Sequence, residues 1–254
     1  MNPDAILYRQ KHRLIDYDER MAILLQTVQG EQYGRYFFPT VAGVGFSENS
    51  LRWNNKIRKE DGFLRMVWGL GTRAVDTVSN DYTRVVALSH PQLRPETTAR
   101  AIRQYSQRFV DIIDMEENSM KTLPIRQVLP EVIRNDYRSA RYIVSLDQGD
   151  YVRNIVSTSG LEETNNLLLT FDYLTKDRSF VKLMRTTLQR LEQGYQLPVD
   201  IEFTIEIIPN YPQPAYRFHI LQCRPLSQRE QDVGVQIPVD LDEEDILFRS
   251  YELV

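Results

Sequence analysis

The feature that most constrains this chain is the run DIEFTIEI from Asp200 to Ile207, where Ile201, Phe203, Ile205 and Ile207 alternate with Glu202, Thr204 and Glu206. Side chains of a strand point to opposite faces in turn, so this alternation specifies a half-covered strand with one apolar face and one carboxylate-bearing face. Asn210 to Pro214, dense in Asn and Pro, reads as a turn or hairpin loop. The run AYRFHILQCRP from Ala215 to Pro225 then forms a second strand long enough to pair back on the first. Gln222 and Arg224 share one face of it, and Cys223 takes the other.

Further sheet material lies upstream. Met21 to Gln29, MAILLQTVQ, is a short apolar run before Gly30 that suits a buried strand leaving through a turn, or the end of a helix. In RYFFPTVAGVGFS, Pro39 precedes a small-residue strand in which Gly43 and Gly45 allow close approach by a ligand or by another strand. FLRMVWGLG ends at Gly69-Leu70-Gly71, a strand-to-turn pattern that leaves backbone amides free to hold an anion or simply turns the chain. NDYTRVVALS reads as another strand, ending at His90-Pro91.

Helical spacing appears from Pro95 to about Asp114, with Ile102, Tyr105, Phe109 and Ile112 or Ile113 on one face. Between Met115 and Thr158, Thr122 to Ile133 and Tyr137 to Leu146 fit short strands or helical turns, because Pro124 and Pro130 interrupt any long helix. GLEETNNLLLTFDYLT after Gly160 reads as partly helical. The clearest helix is DRSFVKLMRTTLQRLEQG, with Phe180, Leu183, Met184, Leu188 and Leu191 as its apolar stripe and Gly194 as its stop.

Composition narrows the class. With 254 residues and 42% hydrophobic content the chain can bury one large or two small cores. Lys and Arg total 31 against 35 Asp and Glu, so no global basic excess exists to hold a nucleic acid backbone. A single Cys223 forms no intramolecular disulfide, and no apolar run approaches the roughly 20 residues that span a bilayer. MNPDAILYRQKHRL lacks the apolar h-region of a secretory signal, so a cytoplasmic soluble protein without membrane contact is expected.

The chemistry concentrates on the hairpin. Mg²⁺ prefers oxygen ligands and retains waters, so a carboxylate on one strand and an amide carbonyl on its neighbour can hold it together with phosphate oxygens. Glu202 and Gln222 form such a pair if the register sets them side by side, and Arg224 could then grip phosphate oxygens through its planar donors. A surface Glu-Arg pair beside a polar Gln fits the same spacing. His12, His90 and His219 show no zinc-ligand spacing, no GK[ST] follows the glycines, and no GxSxG elbow is present. SLRWNNKIRKEDGFLR could bind a polyanion locally but reads rather as a solvated excursion between strands, and LDEEDI as a surface segment or the start of a domain connection.

At this point the chain resembles the nucleotide-binding, ATP-grasp portion of the phosphoenolpyruvate synthase and pyruvate phosphate dikinase family. The most specific match is Asp200 to Phe203 followed by Ile220 to Pro225, I-L-Q-C-R-P, where the family has Asp-Ile-Glu-Trp and Ile-Leu-Gln-Ala-Arg-Pro. MAILLQTVQG, AGVGFS, MVWGLG and NDYTRVVAL resemble further family elements in the family's order, so the resemblance spans about Met21 to Pro225. It implies an α+β fold with an ATP-grasp-like antiparallel sheet flanked by helices. Residues 1–230 would form an incomplete ATP-grasp unit with a helical insertion at about 92–195, and 231–254 a tail or connection.

The resemblance also implies roles. Glu202 and Gln222 would hold Mg²⁺, Arg224 would bind phosphates at the transferring end, and Gln26, Thr27 and Val28 would border the adenine of ATP, with Gly69 and Gly71 beside the nucleotide. Family members phosphorylate a histidine on a separate swivelling domain, which passes the group to pyruvate. This sequence departs at Gly69-Leu70-Gly71-Thr72, where the family has Gly-Leu-Gly-Glu. The family's Lys and Arg-Ser-Ser segment has no counterpart before Met21, and the phosphohistidine and pyruvate domains are absent. The expected partners are therefore the upstream ATP-grasp subdomain and the phosphohistidine domain of a parent chain. By itself this portion would bind nucleotide weakly with negligible turnover, or serve as a non-catalytic binding or structural domain.

Overall fold

The computed structural model describes residues 23–49, 51, 53–75 and 81–226, with 6, 9, 10, 13–18 and 20 near the N-terminus, and twelve strands and five α-helices are assigned among the described residues from 23 onward. In chain order they are β1 (Glu31–Tyr33), β2 (Tyr36–Phe38), β3 (Val41–Phe46), β4 (Phe63–Val67), α1 (Thr72–Val75), β5 (Arg84–Ala87), α2 (Ala99–Gln104), β6 (Phe109–Asp114) and β7 (Ser119–Pro124). There follow α3 (Ile125–Arg134), β8 (Val144–Asp147), β9 (Val152–Asn154), β10 (Leu167–Leu169), α4 (Asp172–Lys176), α5 (Arg178–Tyr195), β11 (Val199–Ile208) and β12 (Ala215–Pro225). The chain is an α+β fold whose strand pairs are all antiparallel.

The five-stranded sheet, ordered β12-β11-β3-β4-β5, carries the hairpin, while β1-β2-β6-β7 and β10-β8-β9 form two smaller sheets. One face of the large sheet presents Leu64, Met66, Ile201, Phe203 and Ile205 to Phe180, Met184 and Leu188 of α5, in a core that continues to Trp68, Val110 and Val128. The opposite face carries a smaller cluster of Ala42, Val44, Val67 and Ala74. Glycine sets the spacing of β3: a Cβ on Gly43 would lie 2.3 Å from the Arg65 carbonyl oxygen and 2.9 Å from the Phe203 ring. The close approach admitted by Gly43 is thus by strands of the same sheet. Cys223 packs against the main core, opposite Gln222 and Arg224 as expected.

Several sequence expectations change once tertiary context is present. Residues 23–29 form no strand and no helix end; they are irregular, and Ile23, Leu24 and Leu25 are largely exposed. The helix expected to reach Asp114 ends at Gln104, and Phe109 to Asp114 is instead β6, pairing with β2 and β7. GLEETNNLLLTFDYLT, expected to be helical or partly so, is partly helical: it holds the end of one 3-10 turn, a second 3-10 turn, β10 and most of α4. Across 92–195, five strands interleave with helices, and β6 belongs to a sheet with β1 and β2, which corrects the helical insertion. Gly194 lies inside α5, and Gln196 takes the left-handed conformation that ends it. The polar face of β11 is not half-covered, since Asp200, Thr204 and Glu206 are all buried. Residues 231–254, including LDEEDI, lie outside the described residues. No described helix is long and apolar enough to cross a membrane.

Arg35, just before β2, fastens Asp114 at the end of β6 with Nε and Nη2 donating at 3.1 and 2.6 Å, and Lys121 of β7 adds a contact at 3.0 Å. The Arg35 guanidinium, against the opposing effect of burial and with help from Lys121, holds the Asp114 carboxyl well below the usual carboxylate range. A folded-state value below the unfolded one stabilises fully above the ordinary carboxylate pKa, about 3.9, and fades as pH falls through the folded value. Asp114→Asn should therefore lower the urea midpoint at neutral pH and flatten its acid dependence.

A second pair of variants tests the sheet spacing by urea unfolding. Gly43→Ala should cost about 1–3 kcal/mol because its methyl meets backbone that cannot yield. Gly194→Ala, with nothing within 4 Å, should be neutral or stabilising by up to about 1 kcal/mol.

Candidate functional site

The hairpin register places the predicted pairs opposite one another. Glu202 faces Gln222 and Asp200 faces Arg224, with a bulge at Leu221 between these pairs and Phe203 with Ile220. A bulge re-aims the strand it interrupts, here immediately beside Glu202 and Gln222. Glu202 is half-buried and Gln222 exposed, and neither side chain forms a hydrogen bond with described protein groups. Arg224 Nε donates to both Asp200 carboxylate oxygens at 2.8 and 2.9 Å. That grip uses one nitrogen, fixes the plane of the guanidinium and leaves both terminal nitrogens for another acceptor.

Two more register pairs continue along the same face. Thr204 faces His219, and the Thr204 hydroxyl and His219 Nδ1 are buried with no hydrogen-bond partner among the described residues. Glu206 faces Arg217 and is paired with it at 2.5 Å. Ion pairs therefore close this polar strip at both ends, while its middle, Glu202, Gln222, Thr204 and His219, carries hydrogen-bonding groups that the described residues leave unmatched.

Gln26 meets the strip at the bulge, where its Nε2 donates to the Leu221 carbonyl at 2.9 Å, and Thr27 and Val28 follow it as exposed chain. Gly71 lies over the same face, because a Cβ there would touch Ala42 Cβ at 3.5 Å and Ala42 is the register partner of Thr204. Gly69 lies elsewhere. With φ +90° it presses on β6, where a Cβ would meet Val110 and the Asp111 carbonyl at 2.4 and 2.6 Å. The Leu70 amide, expected to be free, donates to that carbonyl at 2.8 Å. Among the described residues no three His, Cys, Asp or Glu side chains converge as a metal cluster. Glu202 with Gln222 suits a cation that takes most of its oxygen shell from phosphates and water.

A family model described as the pyruvate phosphate dikinase AMP/ATP-binding domain matches residues 1–245. The chain belongs to this family. No curated protein matches it. The AMP/ATP-binding domain match contains every predicted site residue and extends beyond the motif span of Met21 to Pro225.

Within this AMP/ATP-binding domain the Thr72 departure has a structural partner. Asp111 of β6 is buried and accepts from the Thr72 hydroxyl at 2.6 Å and the Thr122 hydroxyl at 2.5 Å, and Arg73 Nε lies 3.2 Å away. Arg73 also reaches Asp81 at 2.9 Å, and Asp81 accepts the Arg108 amide at 2.7 Å. The glycine turn is thus bolted to β6 by a carboxylate that sequence reading passed over. The alternation of β6 is broken by its two-sided burial, so only tertiary pairing marks Asp111. Asp200 carries a sequence signal of its own, since its position two residues before Glu202 puts it on the same face.

Thr72→Glu restores the family's carboxylate in sequence but sets it against buried Asp111, and like charges in contact there cost several kcal/mol. Chemical unfolding should show Thr72→Glu strongly destabilised. Much of the loss should return when Asp111→Asn is added.

Proposed function

We propose that the β11–β12 hairpin is one side of an ATP-binding clamp in a phosphotransferase resembling phosphoenolpyruvate synthase or pyruvate phosphate dikinase. The single observation that carries this reading is the register: Glu202 beside Gln222, and Arg224 oriented by Asp200 with its terminal nitrogens unengaged. Glu202 and Gln222 would hold Mg²⁺, whose bound form supplies Lewis-acid neutralisation of phosphate charge. Arg224 would hold oxygens of the transferring phosphate, with Asp200 fixing its approach. Gln26, tethered to Leu221, would bring Thr27 and Val28 to the adenine edge, with Gly71 bordering the same face. Gly69 contributes by letting the turn approach β6.

In the whole enzyme the phosphoryl group would pass from ATP to a histidine on a separate domain and then to pyruvate. Stabilising the charge that develops in transfer needs preorganised groups on both sides of the nucleotide. The upstream subdomain and phosphohistidine domain are accordingly the partners this reading requires, and the chain alone should bind weakly with negligible turnover. The tie between Thr72 and Asp111 favours a second reading, a non-catalytic binding or structural domain. It occupies the position of the family's glutamate with a purely internal hydrogen bond.

Calorimetric titration of the chain with ATP and a non-hydrolysable analogue in Mg²⁺ tests the first reading. Weak, Mg²⁺-dependent binding should disappear in the Glu202→Ala, Arg224→Ala double variant. Absence of binding at millimolar nucleotide, or binding indifferent to the double variant, would overturn it in favour of the structural domain.

A further inference from the structure

The Glu202 register row continues past β11. Gln222, Glu202, Val44 and Arg65 are successive partners across β12, β11, β3 and β4, so all four side chains leave the same face of the sheet. Strand spacing puts the Arg65 and Glu202 backbones roughly 10 Å apart, two inter-strand steps. Only Val44 lies between them, and it is buried. The Arg65 stem can lie along that apolar surface and carry its guanidinium toward the Glu202 and Gln222 pair.

Arg65 also differs from three other arginines of the fold. The partly or fully buried Arg35, Arg73 and Arg94 each pair with one or more carboxylates. Arg65 is half-buried, its same-face neighbours on β3 and β4 being Ala42, Val44, Val67 and the stacked Phe46–Phe63 pair, and it forms no ion pair or side-chain hydrogen bond with described residues. A guanidinium beside apolar neighbours gains more from an anionic partner than one in bulk water does, because screening is weaker there.

We propose that Arg65 is a second phosphate-binding residue of the candidate nucleotide site, gripping the polyphosphate from the β4 side while Arg224 holds it from the β12 side. This rests on the reading of the hairpin as an ATP site and adds its charge recognition. Two arginines flank the Glu202 and Gln222 pair, so the site selects a polyphosphate over a nucleoside monophosphate. Planar donors on opposite sides fit phosphate oxygens bidentately, which a single lysine-like point charge would not.

The test is calorimetric titration of the full chain in Mg²⁺ with ATP, inorganic tripolyphosphate and AMP, for the wild type, Arg65→Gln, Arg65→Lys and Glu202→Gln. Loss of charge-assisted hydrogen bonds should weaken ATP and tripolyphosphate about tenfold or more in Arg65→Gln, with AMP changed less than about twofold. Arg65→Lys should recover part of the loss. Thermal unfolding of Arg65→Gln should match the wild type, which separates lost phosphate contact from lost fold. If Arg65→Gln binds ATP as the wild type does while Glu202→Gln does not, Arg65 has no such role and the ATP reading stands. Equal weakening of ATP and AMP would also overturn the proposal by assigning Arg65 a general packing role. If the wild type binds neither ATP nor tripolyphosphate at millimolar concentration, the site and the proposal fall together.

Discussion

β11 is hydrogen-bonded on both edges, to β12 and to β3, and covered on both faces, so the direction of nearly every side chain along it is fixed by the pleat. A slip of one residue would turn Ile201, Phe203 and Ile205 out of the main core and bury Glu202 and Glu206 among apolar groups. That penalty is what holds Glu202 to Gln222 and Asp200 to Arg224. The geometry of the candidate site is therefore a by-product of burying an apolar stripe, with the glycines of β3 allowing Phe203 to pack across it.

Charge on the polar face is divided along the same strand. Asp200 with Arg224 and Glu206 with Arg217 neutralise its ends, and the stretch between them keeps a carboxylate, an amide, a hydroxyl and an imidazole free of partners among the described residues. Buried or half-buried polar groups are matched in most folded proteins, and those left unmatched tend to mark where water or a ligand completes them. The ion pair at Asp200 serves orientation more than stability, since Arg224 is itself more than half exposed. The contrast with Asp111 is instructive: that carboxylate is saturated by internal donors and works as a bolt between the glycine turn and β6.

What could be read from the chain follows the strength of its local periodicity. The period-two pattern of β11, the 3.6-residue stripe of α5 and the Asn/Pro loop between β11 and β12 each declare their structure within a few residues, and all three are present. Residues 109–114 mislead because Ile112 and Ile113, adjacent and both apolar, suit a helix face as well as a strand covered on both sides; pairing with β2 and β7 decides. MAILLQTVQ misleads for the opposite reason. Its apolar content signals a strand, but residues 23–29 have no described neighbour strand to pair with, and a strand without a partner leaves its backbone groups to water.

The sequence by itself determined the antiparallel hairpin, the placing of Glu202 apart from the apolar stripe and of Gln222 with Arg224 on one face, because alternation and turn chemistry act between near neighbours. Only the tertiary structure decided that Glu202 meets Gln222, that Asp200 steers Arg224, that Asp111 anchors the glycine turn and that Arg65 shares the Glu202 row. Each of those contacts joins residues far apart in the chain, and their distances are set by sheet order, strand register and the burial of a common core, none of which leaves a local trace in the order of residues.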